Sequence, residues 1–375
     1  MLALALFACA TPGPPSGSTA LSPFDDTMRT WTAAHHVPRS SIAVMRQDRL
    51  VFAAGYGGRG ASDRLPVWSL SKAVTAVCIA TLVQDGALRF DDSIGLLLAP
   101  TFEKLGQPTD PRLAQVTVAQ LLTHRSGLPN VAGDNRFAPG MHELLRRRRA
   151  SDVGPEMLMP SILRLHLAST PGAEYRYSNV GYLLLGQIIE RMTGAPYQDI
   201  CGHRVLARAG IRQPALDPTW GRLLQSAAGW SLSGPEYLGF VRLLSFRSHG
   251  LLTAETQRWA RTLEGRWTDD KHTMAYTLGI RLAPVGGGRT NILHTGGWVW
   301  DQVSATGGAI HDKRGTWFVL TDEGVAWFAS YDGVSGETDP DVVRELHDGL
   351  WQAYRRVWRW PAHDEFAAMG VGPLM

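Results

Sequence analysis

Apolar positions along the chain change period several times. Phe24, Met28 and Trp31 recur at helical spacing, and the pattern ends near Pro38. The segment SIAVMRQDRLVFAAGYG has two apolar runs around the polar turn Gln47-Asp48-Arg49, which predicts a hairpin. From Ser69, SLSKAVTAVCIATLVQDGAL predicts a long helix that stops at Asp85-Gly86. Residues 95–225 are helix-rich and broken by proline and glycine. Strand signals then return. YTLGIRL and RTNILHTG flank Gly286-Gly287-Gly288, while QVSATGGAIH and GTWFVLT flank Asp312-Lys313-Arg314; both pairs predict antiparallel hairpins. A last helix is expected with Asp339 as N-cap, Pro340 in its first position, and a stripe of Val343, Leu346, Leu350, Tyr354 and Val357.

Strands at both ends and helices between them imply an α+β fold. One antiparallel sheet is built from both chain ends and flanked by helices, and the middle forms an all-helical subdomain. The expected boundaries are a leader and linker over 1–22 and one large domain over 23–375. Within it, 23–95 and 226–375 make the α/β part and 96–225 the helical part.

Composition adds limits. Of 375 residues, 44% are hydrophobic and 19% charged, which suits a globular chain of this size. The net charge of +3 does not call for a nucleic-acid partner, and Arg146–Arg149 reads as a solvated helix face. The only lysines are Lys72, Lys104, Lys271 and Lys313. Lysine can lose its proton near neutral pH and arginine cannot, so those four positions matter. Cys9, Cys78 and Cys201 match no metal motif, and an odd count gives no disulfide framework; Cys78 reads as a core residue and Cys201 as structural. The start, MLALALFACATPGPPSGSTA, resembles a bacterial lipoprotein signal, with Cys9 as the lipidated residue and possible membrane tether. An exported, periplasmic protein is the expectation. No later stretch is long and apolar enough to span a membrane as a helix.

Three short motifs carry candidate chemistry. Ser69-Leu70-Ser71-Lys72 puts a hydroxyl and an amine one helical turn apart. A serine is a poor nucleophile until a base takes its proton, and lysine can be that base where its pKa is lowered. The bland alternative is a capping serine followed by a surface lysine. Tyr177-Ser178-Asn179 offers a phenol and an amide at a loop-to-helix junction; the alternative is a packed aromatic with Asn179 as a cap. His294-Thr295-Gly296-Gly297 ends a predicted strand with small residues that let a substrate approach; the alternative is a turn with His294 in solvent.

The three motifs follow one another in an order that resembles the serine β-lactamase and penicillin-binding superfamily, in its class C β-lactamase-like branch. That branch includes family VIII esterases, D-amino-acid peptidases and amidases, and DD-carboxypeptidases. The resemblance runs from about Ser40 to Thr321. It rests also on WSLSKAVTAVCIATLVQDGALRFDDSI, LLTHRSGLP, PGAEYRYSNVGYLLLGQIIERMTG and AAGWSLSGPEYLGFVRLL. It implies that Ser69 forms an acyl-enzyme and that Lys72 and Tyr177 share the proton transfers. Asn179 would position Lys72 or the substrate, and His294, Thr295 and Gly296 would line the site. The backbone N–H groups of Ser69 and Gly297 would form the oxyanion hole. The fold implied is the β-lactamase/transpeptidase-like one.

Four departures shape the expected function. His294 stands where the family often has the lysine of Lys-Thr-Gly, and a neutral histidine would not hold a carboxylate. Trp298 and Trp300 follow the motif, where they either line an apolar acyl pocket or support the sheet. Trp68 is bulkier than the usual residue before the serine, and the insertion Val131–Ser151 suits a site wall or lid. The expectation is a serine hydrolase acting on an ester or amide of a small molecule or short peptide, in preference to a β-lactam, with no metal or organic cofactor. The alternatives are a class C-like β-lactamase, a DD-carboxypeptidase, or a penicillin- or cell-wall-fragment-binding protein with little turnover.

Overall fold

A computed structural model describes residues 20–129, 140–244, 251–303 and 309–375. Cys9 with the rest of 1–19, residues 130–139 of the insertion, and the side chain of Trp300 lie outside the described part. In chain order the strands are β1 (Ser40–Arg46), β2 (Arg49–Tyr56), β3 (Leu65–Pro66), β4 (Ala215–Leu216), β5 (Trp230–Leu232), β6 (Ala275–Thr277), β7 (Ile280–Gly286), β8 (Arg289–Val303), β9 (Ala309–Leu320) and β10 (Val325–Asp332). Seven of them form one antiparallel sheet in the order β2-β1-β10-β9-β8-β7-β6. The first strand of the chain therefore pairs with the last, and both chain ends build the sheet as expected. The molecule has the α+β, β-lactamase/transpeptidase-like fold.

Strand alternation explains how one sheet serves two cores. On β10, Val325, Trp327, Ala329 and Tyr331 face the terminal helices, while Ala326 and Phe328 face the other side. The first core is closed by the helices Ser22–Ala34 and Pro340–Arg356, through Phe24, Met28, Trp31, Val343, Leu346 and Leu350. Asp339 precedes the last helix but does not cap it with its side chain. Its carboxylate instead accepts from the Ser335 N–H (3.1 Å) and the Thr338 hydroxyl (2.6 Å).

The second core is built round the helix Ser71–Gln84, which is buried on nearly every side. An all-round apolar surface is what a central helix requires. The helices Asn179–Thr193 and Gly221–Ala228 pack against it. Cys78 on this helix forms a disulfide with Cys201, which corrects the reading of the two as unlinked. The bridge closes 123 residues of separation, and only the folded packing brings the two Cα atoms to 5.5 Å.

Three further corrections concern the hairpins. Asp312-Lys313-Arg314 is no turn; it lies inside β9, and β8 runs on past the His294 motif to Val303. Residues 304–308, between these two strands, lie outside the described residues. The charges are satisfied along the strand: Arg314 bonds Asp312 two residues away on one face (2.7 Å), and Lys313 on the other reaches Asp339 (3.4 Å). YTLGIRL also hides a turn. Leu278 and Gly279, at φ 38° and 71°, reverse the chain between β6 and β7. The first hairpin turns on Gln47 and Asp48 alone, both at positive φ, with Arg49 already in β2.

A small sheet, β3-β5-β4, was without sequence signal, because strands of two or three residues show no period. It anchors the segment that leads into Ser69. Of the 131–151 insertion, residues 140–151 hold the helix Met141–Arg147, whose Arg146 and Arg147 pair with Glu143 and face solvent.

Candidate active site

Ser69 sits in a 3₁₀ turn, Trp68–Leu70, just before the central helix. Trp68 has φ +51°, a left-handed conformation that is costly for a bulky side chain. Its surroundings over-determine it. The Val67 N–H donates to the Trp230 carbonyl of β5 (2.9 Å), and the Val67 carbonyl accepts from the Thr316 hydroxyl of β9 (3.0 Å). The Trp68 ring stacks flat on Trp298, centroids 5.0 Å apart.

Lys72 is the second residue of the helix, fully buried, with its Nζ 3.1 Å from Ser69 Oγ. It also donates to Asn179 Oδ1 and to the Ala227 carbonyl, both at 2.8 Å. The Tyr177 hydroxyl donates to Ser69 Oγ at 2.8 Å. Lys72 Nζ lies 4.9 Å from the centre of the Tyr177 ring and 5.5 Å from that of Tyr182. Burial pushes the Lys72 amine well below its ordinary range and pushes the Tyr177 phenol up, the latter partly offset by the bond to Ser69. Lys72 is thus not a surface lysine, and the Asn179 amide goes to Lys72 rather than to a cap.

His294 is buried and faces away from solvent. Its Nδ1 lies 2.6 Å from the Thr295 carbonyl and its Nε2 3.0 Å from the Tyr276 hydroxyl. A carbonyl only accepts, so the proton is on Nδ1, and Nε2 accepts from Tyr276. Burial, then Arg281 and Lys72, hold the imidazole well below its ordinary pKa. His294 is therefore neutral. Gly296 is the point of closest approach to the nucleophile turn: a Cβ there would lie 2.2 Å from Thr316 Oγ1 and 2.7 Å from the Val67 carbonyl oxygen. Gly297 is open, its nearest such neighbour being Ser335 Oγ at 3.5 Å.

Ser69, Tyr177, Asn179 and His294–Gly297 all line one cavity of about 710 Å³. Trp298 does not line it. It is buried between Trp68 and Trp220, 4.8 Å from the latter, and supports the turn instead of an acyl pocket. The sequence alone does not single out Arg281, yet its side chain lines the same cavity. A signal was present: the hairpin around Gly286–Gly288 pairs Arg281 with Leu293, next to His294. Ser335, Glu337 and Arg344 form a further wall with no motif to mark them. Among the described residues, no group of three or more His, Cys, Asp or Glu is placed to hold a metal ion.

A serine hydroxyl held between a buried lysine and a buried tyrosine, at the wall of a cleft, is the equipment of a serine hydrolase. The chain belongs to the beta-lactamase family, whose model matches residues 24–345. Protein flp of Staphylococcus aureus (strain N315) is 24% identical over 207 residues, which are 53% of this chain and 39% of that one. The chain thus spans well under half the length of that relative. Among solved structures, the octameric penicillin-binding protein homologue from Pyrococcus abyssi superposes with a TM-score of 0.67 at 18% identity, covering 91% of this chain and 79% of that one. A D-stereospecific amidohydrolase from Streptomyces sp. gives 0.65 at 21% identity, covering 87% and 97%.

Proposed function

We propose that the protein is a serine hydrolase that acts through an acyl-serine on an amide or ester, with short peptides bearing a D-residue and a free carboxylate as its preferred class. The observation that carries this is Ser69 Oγ, bonded by Tyr177 at 2.8 Å and by Lys72 at 3.1 Å inside the cavity. A neutral lysine has two N–H bonds and one lone pair. The two N–H bonds match Asn179 and Ala227, which leaves the lone pair for the Ser69 proton. The opposed pKa directions divide the work. Lys72 takes the Ser69 proton as Oγ attacks the carbonyl, and the backbone N–H groups of Ser69 and Gly297 hold the oxyanion. Tyr177, still protonated, gives a proton to the leaving group, and Lys72 restores it. Water then attacks the acyl carbon and loses a proton to the same pair, which passes it to Ser69 Oγ as the acyl C–Oγ bond breaks and the acid leaves.

The substrate class rests on Arg281. His294 is neutral, so the usual lysine charge is missing, but the guanidinium of Arg281 lines the same cavity. It suits a substrate carboxylate. The D-preference is supported by the likeness to the D-stereospecific amidohydrolase. Export is supported by the Cys78–Cys201 disulfide, since such bonds persist in oxidising compartments; the Cys9 tether is part of the same proposal.

A fluorophosphonate adduct is expected on the peptide containing Ser69; an adduct elsewhere overturns the mechanism. Turnover of a peptide ending in D-Ala-D-Ala is expected to exceed that of its C-terminal amide and of a chromogenic cephalosporin. Arg281→Ala is expected to raise KM for the free acid by about 10-fold or more, the range of one charge-assisted contact, and to leave the amide unchanged. Equal rates on acid and amide overturn the carboxylate preference.

A further inference from the structure

We propose that His124 is the positioning residue that holds Tyr177 against Ser69, by bonding the peptide groups on both sides of the tyrosine. The proposal rests on the reading of Ser69 and Tyr177 given above. LLTHRSGLP, the segment that contains His124, has no role in that reading.

The Arg176 N–H donates to the His124 carbonyl at 2.7 Å. The Ser178 N–H donates to His124 Nδ1 at 3.2 Å. One residue thus fixes the backbone immediately before and immediately after Tyr177. The imidazole also lies against the Tyr177 ring itself, centroids 4.2 Å apart. Backbone, side-chain acceptor and ring face of His124 all meet the same tripeptide.

The clamp is itself held. His124 has φ +54°, a strained conformation for a residue with a side chain. The Arg125 N–H bonds the Gln120 carbonyl (2.8 Å) and the Arg125 carbonyl accepts from the Gly172 N–H (2.7 Å), so the next residue is pinned on both sides. The rings of Tyr182 and Tyr276 pack on the imidazole at 5.1 and 4.5 Å, and Tyr175 meets it edge-on at 5.9 Å. Tyr182 in turn faces Lys72, and Tyr276 bonds His294. His124 thus meets the Tyr177 motif directly and is linked through Tyr182 and Tyr276 to Lys72 and His294 of the other two.

The clamp needs Nδ1 unprotonated, because an N–H there would face the Ser178 N–H. Burial first, with the neighbouring Lys72, His294 and Arg281 as lesser causes, holds the imidazole well below its ordinary pKa. The acceptor is therefore present across the neutral range.

A purely structural histidine and a clamp respond differently to two substitutions. His124→Asn keeps an acceptor near the Nδ1 position and loses most of the ring. His124→Phe keeps the ring and loses the acceptor. With p-nitrophenyl acetate, the Phe variant is expected to lose about 10²-fold in kcat, the cost of a small misplacement of a reacting group, with KM within about 3-fold of wild type. The Asn variant is expected to stay within about 5-fold in kcat, although its Tm falls further than that of the Phe variant. Activity that instead follows Tm, with Phe active and Asn impaired, overturns the proposal. Amide hydrogen exchange over residues 174–180 reads the clamp apart from the chemistry. It is expected to quicken in Phe and not in Asn, and the reverse order overturns the clamp. A wild-type fluorophosphonate adduct away from Ser69 would sink the mechanism alone and leave the exchange result to judge His124.

Discussion

Replacement of Lys72 by methionine is expected to lower kcat/KM by about 10³–10⁴-fold, the range of a lost general base. Methionine matches the length and apolar stem of lysine but has no site for the Ser69 proton. Lys72→Arg is expected to be nearly as inactive, because guanidinium keeps its proton. If either retains a tenth of wild-type kcat/KM, Lys72 is not the base. Wild-type activity should rise with pH through the lowered Lys72 pKa. Stability carries a linked sign. The unfolded lysine holds its proton up to its ordinary pKa near 10.5, whereas the buried one gives it up well below that. Between those two values the unfolded chain binds one more proton, so the folded state loses stability as pH falls. Methionine has no such dependence. The Tm of Lys72→Met relative to wild type should therefore climb as pH is lowered through that window and level off below the folded-state pKa. Scanning calorimetry at several pH values, alongside the kinetics, checks both signs.

Much of the scaffold was legible because the residues that build it repeat with a period. The two apolar runs on either side of Gln47-Asp48-Arg49 mark the β1–β2 hairpin. The unbroken apolar run after Lys72 marks a central helix. The Ser69–Lys72 pair was legible for another reason: it is local, and helical spacing alone brings the two side chains together. What was not legible depends on pairing across the chain. Arg281 enters the cavity through the register of β7 on β8. Cys78 meets Cys201 because two helices pack, and no spacing rule reports that. Asp312-Lys313-Arg314 looks like a turn until Asp339 is known to stand opposite Lys313. Trp298 reads equally well as lining or as support until Trp68 is found stacked on it. A tryptophan at φ +51° has no sequence signature either, since the conformation is imposed by neighbours and not chosen by the residue.

Gly296 and Gly297 are adjacent, and alanine at each should have opposite consequences. Successive residues of β8 point to opposite faces. Gly296 faces the nucleophile turn, where a methyl group would overlap Thr316 Oγ1 and the Val67 carbonyl, at 2.2 and 2.7 Å, with Trp68 Cβ at 3.0 Å. None of these can yield cheaply. Thr316 already bonds Val67, Val67 is tied to Trp230, and Trp68 is stacked on Trp298. Gly296→Ala must therefore push β8 away from the turn, which shifts Ser69 relative to the Gly297 N–H. The expected cost is about 1–3 kcal/mol of stability, as for other overpacked sites. The expected loss in kcat/KM is about 10²-fold or more, because oxyanion geometry tolerates little displacement. Gly297→Ala meets nothing nearer than 3.5 Å and projects into the cavity. It should leave stability within about 0.5 kcal/mol of wild type and act on substrate binding, seen as a raised KM. Denaturant unfolding and steady-state kinetics on the two variants separate the cases. If Gly296→Ala folds and acylates like wild type, Gly296 is not the contact that sets the nucleophile turn against β8.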